Sequence, residues 1–131
     1  MVKYEDLNIY KEGHAFVLEA YNITFKFPEH ETNNLTSQIR RASVSIPLNI
    51  AEGSTRASKK AFLQFLNYAY GSCKELEVLF SLSKDLKYIS NDEYLFFYDK
   101  INKISRMIFK FVDILRKDIN KKMYFKNVDF S

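Results

Sequence analysis

The chain has 131 residues, a mass of 15.5 kDa, 47% hydrophobic residues and a formal net charge of +4, which makes one domain with a real core and excludes two. It holds only 3 Gly and 2 Pro, where an average chain gives the two roughly 12% of its positions, so sandwiches, barrels and many-turned α/β folds lack their corner residues. One Cys excludes an internal disulfide framework and a multi-thiolate metal site, and two His leave few ligands for a structural zinc.

Residues 5–27 read as a first helix. Leu7, Tyr10, His14, Val17, Tyr21 and Phe25 recur at three- and four-residue steps, and Phe27-Pro28 ends the run. The chain starts polar, with no apolar signal-peptide region behind Met1. Residues 1–31 hold three Lys and six carboxylates, and all the net positive charge lies beyond them. After the connector Pro28–Glu31, Thr32 is the expected N-cap of a second helix. Leu35, Ile39, Ala42, Ile46, Asn49, Ile50 and Gly53 form its stripe. Pro47 lies inside the stripe, which keeps its phase on both sides, so the spacing predicts one helix kinked near Ser43–Ile46 rather than two.

Gly53-Ser54-Thr55 ends that helix, and Ser58 offers a new cap. Phe62, Phe65, Leu66, Ala69, Cys73, Leu76, Phe80 and Ser83 carry a third helix to about Tyr88. Ser90 or Asn91 caps the fourth, whose stripe is Tyr94, Leu95, Tyr98, Ile101, Ile104, Ile108, Phe111, Leu115 and Ile119. The pattern decays after Lys121, leaving a bundle domain over residues 1–121 and a loosely held tail over 122–131. Short connectors make sequential helices antiparallel, so the expected fold is all-α: an up-down-up-down antiparallel four-helix bundle with a Pro47 kink in its second helix. No run reaches the roughly 18 apolar residues of a membrane span, and the chain reads as cytoplasmic.

The inventory for catalysis is poor. His14 shares the phase of Tyr10 and Val17 and reads as a core-edge ring before a catalytic one. His30 stands between Glu29 and Glu31, a trio that reads as a solvated loop before a transient metal site. Cys73 reads as a small buried hydrophobe. No Gly-rich phosphate cradle and no Glu-x-x-His metal motif occurs, so neither metal nor cofactor is expected. Mid-helix Gly71 is read as a point of close helix approach.

The densest polar strip is Arg41, Ser45, Asn49 and Glu52 on the second helix, facing Ser72, Glu75 and Glu77 on the third. Buried polar groups must be hydrogen-bonded. A network bridging the two helices is therefore expected, with Arg40 or Arg41 pairing Glu75 or Glu77. It reads as a device that fixes register and partner choice before a ligand pocket, or an enzyme built on Ser45, Asn49, Glu52 and Glu75. Arg56, Lys59 and Lys60, with Arg40 and Arg41, form the candidate nucleic-acid surface, and Arg116, Lys117, Lys121, Lys122 and Lys126 form a second basic run. The set Phe96, Phe97, Tyr98, Phe109, Phe111, Tyr124 and Phe125 exceeds what one stripe of the last helix hides. A helix apolar on more than one face needs a second covering, so a homo-oligomer is expected.

The run Gln38-Ile-Arg-Arg-Ala-Ser-Val-Ser-Ile-Pro-Leu-Asn-Ile-Ala-Glu-Gly53, followed by Arg56, Phe65-Leu66, Ala69, Gly71-Ser72 and Glu75-Leu76-Glu77, resembles a bacterial family of four-helix bundle proteins. These are encoded in intervening sequences of large-subunit ribosomal RNA genes. The accessory variability determinant of diversity-generating retroelements is similar. The resemblance implies a ring-like homopentamer in the cytoplasm with no established enzymatic activity. For the retroelement relatives it implies binding of RNA or DNA and of a reverse transcriptase through basic surface. The expectation is a non-enzymatic homo-oligomer that binds nucleic acid or a nucleic-acid-processing protein. The alternative is a structural or adaptor assembly that binds a protein partner without nucleic acid.

Overall fold

The computed structural model describes residues 3–129, with side chains for residues 3–121. Four helices carry the fold: α1 Asn8–Thr24, α2 Leu35–Ser54, α3 Lys59–Asp85 and α4 Asn91–Asp129. Short 3-10 turns at Tyr4–Asp6 and Glu29–Glu31 precede α1 and α2. No strand occurs among the described residues. Contact pairs fix the direction of each helix. Gly53 meets Phe62 and Phe65 while Ser45 meets Ser72; Lys59 reaches Asp118 while Phe80 stacks on Phe97. Gly13 lies at Ile46 while Thr24 meets Arg40. Numbers rise on one helix as they fall on its neighbour, so the bundle runs up-down-up-down. The helices contact in cyclic order, α1 with α2, α2 with α3 and α3 with α4, while α1 and α4 touch sparsely.

Capping follows local chemistry. Ser58 Oγ accepts from the Ala61 amide at 3.1 Å, as expected. Ser90 Oγ accepts from Glu93 N at 3.1 Å, and Glu93 Oε1 accepts from Ser90 N at 2.8 Å, a reciprocal capping box that opens α4. Thr32 does not cap α2. Its hydroxyl donates to the Glu29 carbonyl at 2.7 Å, within the 3-10 turn after Pro28, and α2 begins later, at Leu35. Pro47 sits inside one continuous α2 rather than between two helices.

The core joins Ile39, Ile46 and Ile50 of α2 to Leu66, Leu76 and Phe80 of α3 and Ile101, Ile104 and Ile108 of α4. Phe80 and Phe97 stack at 4.5 Å, and Phe16 meets Phe97 edge-on at 5.8 Å, tying α1 to α3 and α4. The α1 phase departs from expectation by one residue. Its buried face is Ile9, Gly13, Phe16, Ala20 and Thr24, while His14, Tyr21 and Phe25 face outward. Small residues let α1 sit close to α2: a Cβ on Gly13 would stand 3.0 Å from Ile46. Early α4 also differs, with Phe97 buried in place of Leu95 and Tyr98, which are exposed. The α4 backbone stays helical from Lys121 through Asp129, within the segment read as a tail. The side chains of residues 122–131, including Lys122, Tyr124, Phe125 and Lys126, lie outside the described residues.

Candidate functional site

Two surfaces gather the singled-out residues. The first is an open groove of about 1290 Å³ along α2 and α3. Ala42, Ser45, Gly71 and Ser72 make its floor of small side chains, flanked by Arg41 and Leu48 of α2 and by Tyr68 and Glu75 of α3. The Ser45 and Ser72 hydroxyls hydrogen-bond across the helices. Ser45 Oγ also reaches the Ala42 carbonyl at 3.0 Å, Ser72 Oγ donates to the Tyr68 carbonyl at 3.2 Å, and Asn49 Nδ2 donates to the Ser45 carbonyl at 2.7 Å. Of the residues expected to bridge α2 and α3, only Ser45 and Ser72 bond across the helices, and Asn49 bonds within α2.

The charged residues of that set stand elsewhere. Arg40 reaches back to α1, where its Nε donates to Thr24 Oγ1 at 2.9 Å and its guanidinium lies 4.7 Å from the Tyr21 ring and 5.0 Å from Phe25. Two exposed aromatics of α1 thus pin one arginine, each contact worth about 0.5–1 kcal/mol. Glu77 pairs with Lys74 on its own helix at 3.2 Å. Arg41, Glu52 and Glu75 are exposed and make no side-chain hydrogen bond or ion pair among the described residues. The expected Arg–Glu pairing across α2 and α3 is absent, because Arg40 finds a hydroxyl and two rings closer to its own turn. Gly71 is not a point of close approach either. A Cβ there would meet nothing within 4 Å, whereas one on Gly53 would stand 2.8 Å from both Phe62 and the Phe65 Cβ.

The second surface is the end of the bundle where α3 begins. Lys60 and Arg116 line one surface hollow with Leu63, Ile119 and Asn120. Beside it Lys59 Nζ pairs with Asp118 at 3.0 Å, and Arg56 lies 4.8 Å over the Phe65 ring. Lys60 of the first basic run and Arg116 of the second meet here. Arg40 and Arg41 do not join them, since α2 runs on from Arg41 to Ser54, about 20 Å at 1.5 Å per residue, before Arg56 is reached. The sequence reading missed this antiparallel meeting of the α3 start with the late α4; its signal was the expected topology itself.

The nucleophile and imidazole inventory is placed outside any shared site. Burial pushes the Cys73 thiol up to about 11, and the neighbouring Ser105 hydroxyl offsets part of that rise. His14 is exposed against Tyr10, with rings 5.9 Å apart. His30 Nε2 stands 3.3 Å from the Tyr88 hydroxyl, which itself donates to Glu31 Oε2 at 2.8 Å. That bond to the Glu31 carboxylate holds the phenol above its ordinary value. No group of three metal-ligating side chains occurs among the described residues, and no described helix is long and apolar enough to cross a membrane.

Residues 5–110 match the family model of the 23S rRNA-intervening sequence proteins. A crystal structure of a protein with unknown function from the S23 ribosomal protein family of Bacteroides thetaiotaomicron VPI-5482 is similar, with a TM-score of 0.72 and 21% identity over 79% of this chain and 97% of that one. No curated protein matches the sequence.

Proposed function

The chain belongs to the family of 23S rRNA-intervening sequence proteins, and from that premise we propose that it is a non-enzymatic, self-assembling bundle that binds nucleic acid through its basic end. The observation that carries the reading is the convergence of Lys60 and Arg116 in one hollow beside Arg56 and Lys59. Phosphates need positive charge grouped on one surface, and bases need a flat apolar face. Lys60 and Arg116 supply the charge. The Phe65 ring is covered by Arg56, which leaves a guanidinium plane on which a base stacks. A binding role rather than a catalytic one is supported by the fate of the polar side chains. The Ser45, Ser72 and Asn49 groups are engaged with each other or with helix carbonyls, and the Cys73 thiol is buried.

Self-assembly is supported by the outer surface. Phe25 is 76% exposed, Leu18 63% and Phe109 60%, and Val78, Leu82, Leu95 and Phe96 are exposed too. Adjacent exposed apolar side chains mark interfaces, and Val78 and Leu82 stand one turn apart on α3.

The test is fluorescence anisotropy of single-stranded RNA and duplex DNA oligonucleotides over a salt series. Binding is expected to weaken with salt by about 0.7–0.9 decades per decade for each phosphate contact. The Arg56→Ala/Lys60→Ala/Arg116→Ala variant should lose most of the affinity and salt slope. Absence of binding at low salt would overturn the nucleic-acid reading in favour of a protein adaptor.

A further inference from the structure

Two hollows lie along the seam between α3 and α4. The first is the Lys60–Arg116 hollow at the start of α3. The second, of about 170 Å³, lies further along, between Tyr70 and Lys74 of α3 and Asn102, Ser105, Arg106 and Phe109 of α4. From Arg106 to Arg116 α4 is continuous, about 15 Å at 1.5 Å per residue. The free charge along this stretch has one sign. From Lys59 to Lys74 α3 carries no carboxylate. From Asn102 to Lys117 α4 carries only Asp113, which its own Lys117 takes at 3.0 Å. Lys74 is held by Glu77 at 3.2 Å, but Lys60, Arg106 and Arg116 have no ion-pair partner among the described residues. Flat apolar faces stand beside these cations. Phe109, 60% exposed, lies one turn from Arg106, and Tyr70 opposite has Lys74 Nζ 5.3 Å from its ring. Ser105, 5% exposed, lines the same hollow, and its Oγ has no hydrogen-bond partner among the described residues. The hollow therefore holds unspent hydrogen-bonding capacity.

We propose that the α3/α4 seam carries a single nucleic-acid strand, its phosphates running from the Lys60–Arg116 hollow to Arg106 and its bases laid on Phe109 and Tyr70. This inference rests on the nucleic-acid reading above and deepens it, naming the form of the ligand and its second point of attachment. Unpaired cations stand at both ends of the stretch with no free carboxylate between them, the pattern a phosphate backbone needs. Exposed rings stand among those cations. A ring stacks on the face of a base, and an unpaired strand offers that face, whereas a duplex keeps it inside its own stack. Asn102, half-buried and without a side-chain hydrogen bond among the described residues, adds a polar group beside the rings for a base edge. Phosphates of a stacked strand follow one another about every 3.4 Å, so the two hollows stand roughly four nucleotides apart. Phosphate charge and base faces are common to RNA and DNA strands, and both fit the seam.

The experiment is fluorescence anisotropy on the full chain with oligo(dT) and oligo(U) strands of about ten nucleotides and with a DNA duplex of the same length. The Arg106→Ala/Phe109→Ala variant should bind both strands roughly 5- to 150-fold more weakly than the wild type, the range expected for losing a stacked base, and should lose far less on the duplex, which the basic end holds through phosphates. Phe109→Trp keeps a flat ring and should keep strand affinity. The chain has no other Trp, so the indole emission of this variant should be quenched by either strand and left unchanged by the duplex. A wild type that binds strands but loses nothing in the double variant, or an indole that bound strand leaves unquenched, overturns the seam and leaves binding at the basic end standing. A double variant that loses strand and duplex alike overturns the seam as well. A wild type that binds neither at low salt overturns both readings.

Discussion

Gly53 and Gly71 both stand in helices, yet the same substitution should move stability in opposite directions. Ala is favoured over Gly inside a helix by about 0.8–1.0 kcal/mol. At Gly71 the added Cβ meets nothing within 4 Å, so Gly71→Ala should gain most of that amount in subunit stability. At Gly53 the methyl would stand 2.8 Å from Phe62 Cδ1 and 2.8 Å from Phe65 Cβ. The Phe62 ring can turn, but the Phe65 Cβ is fixed to the α3 backbone, so α2 and α3 must separate there. Overpacking of this kind costs about 1–3 kcal/mol. Set against the helix gain, Gly53→Ala should lose roughly 0–2 kcal/mol, and the two variants should differ by about 1–3 kcal/mol, with Gly71→Ala the more stable. Urea unfolding followed by circular dichroism, under conditions where the subunit is dissociated, measures both. Equal midpoints, or Gly53→Ala as the more stable variant, would refute the packing argument.

Other expectations concern caps, the thiol and acid. Ser58→Ala and Ser90→Ala each remove a side-chain cap and should cost about 0.5–2 kcal/mol in the same unfolding assay; Thr32→Ala, whose hydroxyl caps no α-helix, should cost less. Cys73, buried with its thiol pushed up to about 11, should react with a thiol reagent at neutral pH only after urea unfolds the chain, and rapid labelling of the native protein would contradict its placement. Glu93 is held below the ordinary carboxylate value of 4.5, first by the Lys26 ammonium and then by the Ser90 amide. A carboxylate with a depressed folded value adds stability above its unfolded value and loses it as pH falls through the folded one. Glu93→Gln keeps the cap acceptor and drops the charge, so the wild type's small advantage over it, an exposed ion pair's worth, should vanish as pH drops below about 4.5; a gap unchanged down to pH 3 would contradict this.

The fold was legible because long helices with few Gly and Pro leave one economical arrangement, and the α2 and α3 stripes are dominated by large apolar residues at clean spacing. The α1 phase was misread because its inner face uses Gly13, Ala20 and Thr24, which carry little hydrophobic weight but permit close packing against Ile46. The outward stripe through Tyr21 and Phe25 is the greasier one, and part of it is spent pinning Arg40. The contact between α2 and α3 was legible in Ser45 and Ser72, whose short side chains have few places to reach. The arginine and glutamate partners were not, since long side chains choose among several neighbours and only the packed geometry decides. Gly71 illustrates the same limit from the other side: a mid-helix glycine marks close approach or an open floor, and spacing alone does not separate them.

The account depends above all on the chain covering its outer apolar surface with further copies of itself. Sedimentation velocity over a hundredfold range of concentration tests this most directly. The account predicts a discrete species several times the 15.5 kDa subunit mass, dissociating only at the dilute end. A single species at the subunit mass across the whole range would contradict it.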